Sequence, residues 1–228
     1  MSPTKPSPPG SPEPAVTCDA SGMAQIHRYF RAGFGEAPDL VRGVAAGDVS
    51  HATAVSEQLW LLSTALHTHH EGEDERLWDA LASRAPACAL HVERMKIQHA
   101  QMLEHLAELD TALPAWKANP AADTADTVLS ALDGVNAALA EHLPDEEREI
   151  VPVMETTLTQ EEVDWFSEHG RRATPRGHLW TQLGGIMAAQ PDPDAWLRAH
   201  LPAPVRLMWR AVGRRRYAAQ RAGLRRPA

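Results

Sequence analysis

The sequence predicts an all-α protein: an up-down-up-down four-helix bundle with a C-terminal helical appendage. Three observations predict it. Apolar residues recur at helical spacing over long stretches, and Val/Ile/Thr runs with strand alternation are missing. Two pairs of these stretches repeat each other along the chain. In both copies, polar residues of the same type interrupt the apolar stripe at the same places. At 228 residues the chain can bury one sizeable core and carry an appended unit. The expected organisation is a disordered Pro-rich arm over 1–20, the bundle over 21–158 and a helical extension with a basic tail over 159–228.

The arm, MSPTKPSPPGSPEP onward, is rich in Pro, Ser and Gly and has no hydrophobic leader segment. The first helix is expected from Ser21 to Phe34, with Met23, His27, Phe30 and Phe34 on its stripe and Gly35 and Pro38 ending it. Asp48 is placed to cap a second helix running to Ser83, in which Gly72 costs ~1 kcal/mol relative to Ala. Pro86 marks the start of a third helix, reaching Leu113, with Met95, His99, Met102, Leu106 and Leu109 on one stripe. A loop over Pro114–Ala122 leads to a fourth helix from Asp123 to Thr157, kinked or broken at Pro144. Beyond it, Thr159 with Glu162 forms a capping-box signature. Further helices are expected from Thr174-Pro175 to Ala189, over Asp194–Ala199 and over Val205–Tyr217.

Two helices carry the repeat. Leu59, Leu62, Leu66, His69, Glu73 and Leu77 stand 73 residues before Leu132, Val135, Leu139, His142, Glu146 and Ile150. Met23, His27, Phe30 and Phe34 match Met95, His99, Met102 and Leu106 at a shift of 72. Each half therefore reads as a helix with a His, then a helix with His-xxx-Glu. A stripe that faces a core should not carry a His and a Glu unless something inside repays their burial. His and Glu four apart share one helix face, so both can reach a metal against it. Two such helices offer two carboxylates that can bridge two ions, with His27, His69, His99 and His142 at terminal positions. A nitrogen and oxygen set without thiolate suits iron, manganese or zinc, and it exceeds what one tetrahedral zinc needs.

Periodicity alone leaves two registers, His69/Glu73 and His70/Asp74. The match of Glu73 to Glu146 favours the first, with His70 as a fifth imidazole or as a group supporting a ligand. Asp74 and Glu147 are candidate acceptors for imidazole N–H groups. His51, His67, His91 and His105 lie off their stripes and are expected to face solvent, and Met95 and Met102 to fill the core.

The net charge of -8 hides an asymmetry. His200 to Ala228 holds eight arginines and no acid, leaving 14 basic against 30 acidic side chains in the rest. The tail is expected to dock on its own acidic body or to stay solvated, so neither nucleic acid nor membrane is expected as a partner. No apolar run approaches the length of a bilayer span. Cys18 and Cys88 are too few for a disulfide framework, and a cytoplasmic location follows as the default.

HTHHEGEDERLW, from His67 to Trp78, and HLPDEEREIVPVM, from His142 to Met154, resemble the paired signatures of hemerythrin-like proteins of the HHE cation-binding type. The resemblance covers Met23 to Leu158. It implies a bundle holding two non-haem irons, with Mn or Zn as the lesser candidates. It places His27, His69, Glu73, His99, His142 and Glu146 at ligand positions and His70 as a further candidate. The chain departs from oxygen-carrying members: Met95 and Leu103 stand where a second His would flank the third-helix ligand. Pro144 between His142 and Glu146 is a second departure. LPAPVRLMW resembles extensions of actinobacterial members. The function implied is binding, sensing or handling of dioxygen or peroxide at the His/Glu site. The alternative is a di-iron oxidase, oxygenase or peroxide-dismutating enzyme acting on a small molecule, and a structural zinc or manganese bundle is a third reading.

Overall fold

The computed structural model describes residues 15–225. In chain order its helices are α1 (Ser21–Arg42), α2 (Val49–Gly72), α3 (Trp78–Arg84), α4 (Ala89–Ala118), α5 (Ala122–Glu149), α6 (Val151–Thr157), α7 (Gln160–Ala173), α8 (Leu179–Ala188), α9 (Pro193–His200), α10 (Ala203–Met208) and α11 (Arg214–Leu224). There is no strand among the described residues. α1 packs on α2 and α5, and α4 packs on the same two helices, which closes a four-helix bundle. Its core includes Phe30, Phe34, Leu59, Leu62, Leu66, Met102, Leu106, Leu132 and Val135, all without solvent exposure. Each such Leu or Phe contributes about 1.5–3 kcal/mol through burial.

Several helix ends differ from what local sequence suggests. α1 does not stop at Gly35 and Pro38 but runs to Arg42. Pro38 has no N–H to offer the Phe34 carbonyl, and the Asn136 amide of α5 donates to that carbonyl instead, at 3.1 Å. Burial of Ala37, Leu40 and Val41 then makes the extra turn worthwhile. α4 likewise continues through Pro114 to Ala118, where a loop was expected, and Trp116 lies buried in its last turn. α5 runs unbroken through Pro144, because Leu143, His142 and Glu146 hold that turn against the interior. The break falls at Ile150, just before Pro152, which sits in the first turn of α6. α8 starts at Leu179 rather than at Thr174-Pro175, since the chain first turns through Gly177 at φ +89°.

Asp48 caps α2 by accepting from the His51 N–H at 2.9 Å. α2 continues into α3 through a π turn at Glu73–Leu77, which fits one residue more than an α-helix would. Residues 15–20, expected to belong to the disordered arm, are described, and three of them are pinned, Asp19 by its N–H donating to the Gln160 side chain at 2.9 Å. The Thr17 N–H donates to the Glu155 carbonyl at 2.7 Å, and the buried Cys18 thiol donates to the Met154 carbonyl at 3.3 Å. Residues 1–14 lie outside the described residues. Cys18 and Cys88 are both free thiols.

The C-terminal helices pack against the bundle. α7, opened by the Thr159/Glu162 capping box, crosses α2 at Gly72. A Cβ there would sit 3.3 Å from His169 and 3.6 Å from Phe166 and Trp165, so the glycine at the end of α2 lets α7 pack closely. The Arg76 guanidinium lies over the Trp165 ring at 4.0 Å. α8 lies on α1, where Arg28 donates to the Gln190 side chain at 2.9 Å. α11 lies on α2 and buries Leu224. Its Leu224 carbonyl meets His51 Nε2 at 3.0 Å, so His51 is buried rather than solvent-facing. His67 and His105 stay partly exposed and bond to Asp110 and Glu108, and His91 is partly exposed beside Glu149.

Arg221 grips Glu36 with two bonds of 2.5 and 2.6 Å, and Arg225 adds a third at 3.0 Å. Burial opposes ionisation of Glu36, but the two guanidiniums prevail and hold its carboxyl below the usual 4.5. A depressed carboxylate contributes stability above its unfolded value and loses it as the pH falls through the folded one. Glu36→Gln is therefore expected to cost about 1 kcal/mol at pH 7 in denaturant unfolding. That difference from wild type should shrink progressively as the pH is lowered below 4.5.

Candidate metal centre

The bundle brings all seven expected donors into one buried cluster. α1 supplies His27, α2 supplies His69 and His70, and Glu73 opens the π turn. α4 supplies His99, and α5 supplies His142 and Glu146. The donors fall into two groups whose ligating atoms lie within 4.8 Å of one another: His70, Glu73, His99 and His142, and His27, His69 and Glu146. Each carboxylate joins the two. Glu73 lies 3.2 Å from His69 Nε2 and 3.4 Å from His99 Nε2. Glu146 lies 3.2 Å from His27 Nε2 and 3.5 Å from His142 Nε2.

The choice between the two sequence registers dissolves. Neighbours on a helix differ by about 100° in direction, so His69 and His70 straddle the seam and face one group each. Glu73 and Leu77, at the two ends of the π turn that follows, are both buried.

Polar partners aim the imidazoles. His27 Nδ1 meets Glu147 at 2.9 Å, and Arg31 holds that carboxylate at 2.8 Å. His99 Nδ1 meets Asp74 at 2.9 Å, and the Trp78 indole N–H donates to the same Asp74 oxygen at 2.6 Å. His142 Nδ1 meets the Gln98 side chain at 3.3 Å. With the proton on Nδ1, each ring turns an Nε2 lone pair inward. Asp74 and Glu147 stand 73 residues apart like the donors themselves, a signal present in the sequence. Gln98 went unnoticed there, because nothing in the repeat singles it out.

Burial pushes His69 and His70 well below the usual imidazole range, and the neighbouring imidazoles add to it. Burial takes His142 down to about 4. These rings are neutral, the form that donates to a metal. Burial, then the Glu146 carboxylate, push Glu73 well above the carboxylate range. Burial acts on Glu146 the same way, but the His27 contact holds it below that range. Burial also opposes protonation of His27, and the Glu146 and Glu147 carboxylates override it.

The cluster fits cations because its own bonding is incomplete. All four carboxylate oxygens of Glu73 and Glu146, both nitrogens of His70, and Nε2 of His99 and of His142 are buried without a hydrogen-bond partner. Leaving such groups unpaired costs about 1–3 kcal/mol each, and metal ions at the centre would satisfy them together. No sulfur takes part, which suits iron, manganese or zinc.

Comparison with known proteins agrees with this geometry. No characterised protein and no solved structure matches the chain. The family model for the Hemerythrin HHE cation binding domain matches residues 20–154, the stretch that contributes all seven donors. With the duplicated His/Glu stripes inside a closed four-helix bundle, this match establishes that the chain belongs to the hemerythrin HHE cation-binding family.

Proposed function

We propose that this protein holds two non-haem iron ions between His27, His69, Glu146 and His70, Glu73, His99, His142, and that it binds or reacts with dioxygen or peroxide there. What carries the reading is an asymmetry. The repeat pairs His27 with His99, His69 with His142 and Glu73 with Glu146. His70 alone breaks it, because its counterpart 73 residues on is Leu143, an apolar core residue. One group therefore has four donors and the other three. The poorer group leaves room for a ligand from outside.

The surroundings support the same side. The His69 side chain is 11% exposed, while the other imidazoles at the centre are 2% or less. A small ligand would thus arrive beside His69. The buried Phe30 ring, 5.3 Å from the His69 ring, would give that side of the centre an apolar wall. Ferrous ions would supply the electrons that dioxygen or peroxide takes up. Glu147 and Asp74 would hold the protons on His27 and His99 and keep both rings aimed as oxidation state changes.

The test begins with anaerobic loading by ferrous iron, counting of the metal and admission of oxygen. About two irons per chain, with a visible band that reverses under vacuum, supports reversible binding. Irreversible oxidation with turnover of an added reductant points to the enzyme reading. A content well below two irons per chain defeats the di-iron reading.

A further inference from the structure

The basic tail divides in two. Arg221 and Arg225 are spent on Glu36, and Arg206 donates to the carbonyls of Arg198 and Leu201. The side chains of Arg210, Arg214, Arg215 and Arg216 make no ion pair or hydrogen bond among the described residues. They occupy the run from α10 through a π turn at Trp209–Gly213 into α11. The inner side of that run is fixed. Trp209 is buried against Trp180, with ring centres 6.3 Å apart, and Gly213 packs on the Trp180 ring.

The outer side therefore carries what remains. Leu207 is 68% exposed, Met208 55% and Val212 42%. The result is an aliphatic patch edged by four unpaired arginines, with no acid between His200 and Ala228.

We propose that this face binds the surface of an anionic lipid membrane, with Leu207, Met208 and Val212 entering the headgroup boundary and Arg210 and Arg214–Arg216 meeting lipid phosphates. Exposed aliphatics beside arginines are the pattern of an interfacial helix, and stable attachment takes both signals. Nucleic acid fits less well. It would use the arginines but gain nothing from Leu207 and Met208, and the run's aromatics, Trp209 and Tyr217, are turned inward and offer no stacking platform. The acidic charge of the rest of the chain opposes the approach weakly, because screening confines it to about 8 Å. No helix of the described residues is long and apolar enough to cross a membrane. The expectation of no membrane partner rested also on a tail docked on its own acidic body or solvated, which Arg221 and Arg225 fulfil on Glu36 while Arg210 and Arg214–Arg216 remain for a partner.

The test is flotation of the full chain with vesicles of phosphatidylcholine, with and without phosphatidylglycerol. Binding is expected only to the phosphatidylglycerol vesicles, and added salt should weaken it. The triple change Arg214→Gln, Arg215→Gln, Arg216→Gln is expected to weaken it about a hundredfold. Leu207→Ser with Met208→Ser keeps every arginine and is expected to weaken it about tenfold. Circular dichroism checks that the variants fold. No flotation, equal flotation with both vesicles, or indifference to Leu207 and Met208 overturns the proposal. So does duplex DNA binding that outcompetes the vesicles, or self-association mediated by this patch in ultracentrifugation.

Discussion

Glu73→Ala, loaded anaerobically with ferrous iron, is expected to hold fewer than about one iron per chain and to bind what remains on the order of a hundredfold more weakly. Glu73 touches His69 of one donor group and His99 of the other, so its loss strips an oxygen from each. It also leaves the five imidazoles of the centre, four of them buried, facing a small void. His70→Ala makes the contrasting case. His70 belongs to one group only, so the variant is expected to keep about one iron tightly and release the other. Metal analysis after dialysis against a chelator reads both. Equal retention of two irons by Glu73→Ala would remove the shared-carboxylate assignment, and equal losses in the two variants would remove the division into groups.

Trp116→Ala is expected to cost about 3–5 kcal/mol in urea unfolding, a drop of roughly 10 °C in Tm for a chain of this size. Trp116 is 1% exposed and lies in the last turn of α4, beyond Pro114. Its burial is what makes that turn helical despite the lost hydrogen bond, so the variant should also fray the end of α4. Trp60→Ala is the control. Trp60 is 43% exposed, and its removal should change stability by about 0.5 kcal/mol or less. A similar cost for both would mean that the extra turn is held by something other than Trp116.

These two residues mark what local sequence carries and what it does not. The four-helix bundle, the duplication and the inward histidines are legible because a helix facing a core must repeat every 3.6 residues, and a His or Glu on that stripe stands out. Helix ends are settled by distant groups. Pro38 reads as a stop until Asn136, 102 residues away, caps the carbonyl it frees. His51 reads as solvent-facing until Leu224 covers it from 173 residues away. The place of His70 was hidden for a different reason. A stripe assigns one face of a helix, whereas His69 and His70, about 100° apart, straddle the seam and face one group each.

That π turn gives the chain an unusual sensitivity to length. An α-helix advances about 100° per residue, so the one surplus residue between Gly72 and Trp78 works like a tooth inserted in a gear. Deleting Glu75, itself an exposed side chain with nothing to do at the centre, would let the helix close into regular turns. Every donor would remain in the sequence. Trp78 and Leu81 would keep their place in the core, because a π turn absorbs its extra residue without rotating the helix on either side, but the tightened turn would shift Asp74 against His99 and Trp78. A point change at Glu75 should be silent, whereas its removal should weaken the hold of Asp74 on His99. Residue identity and residue count are thus separate constraints here, and the second is invisible to any comparison that scores only which side chains are present.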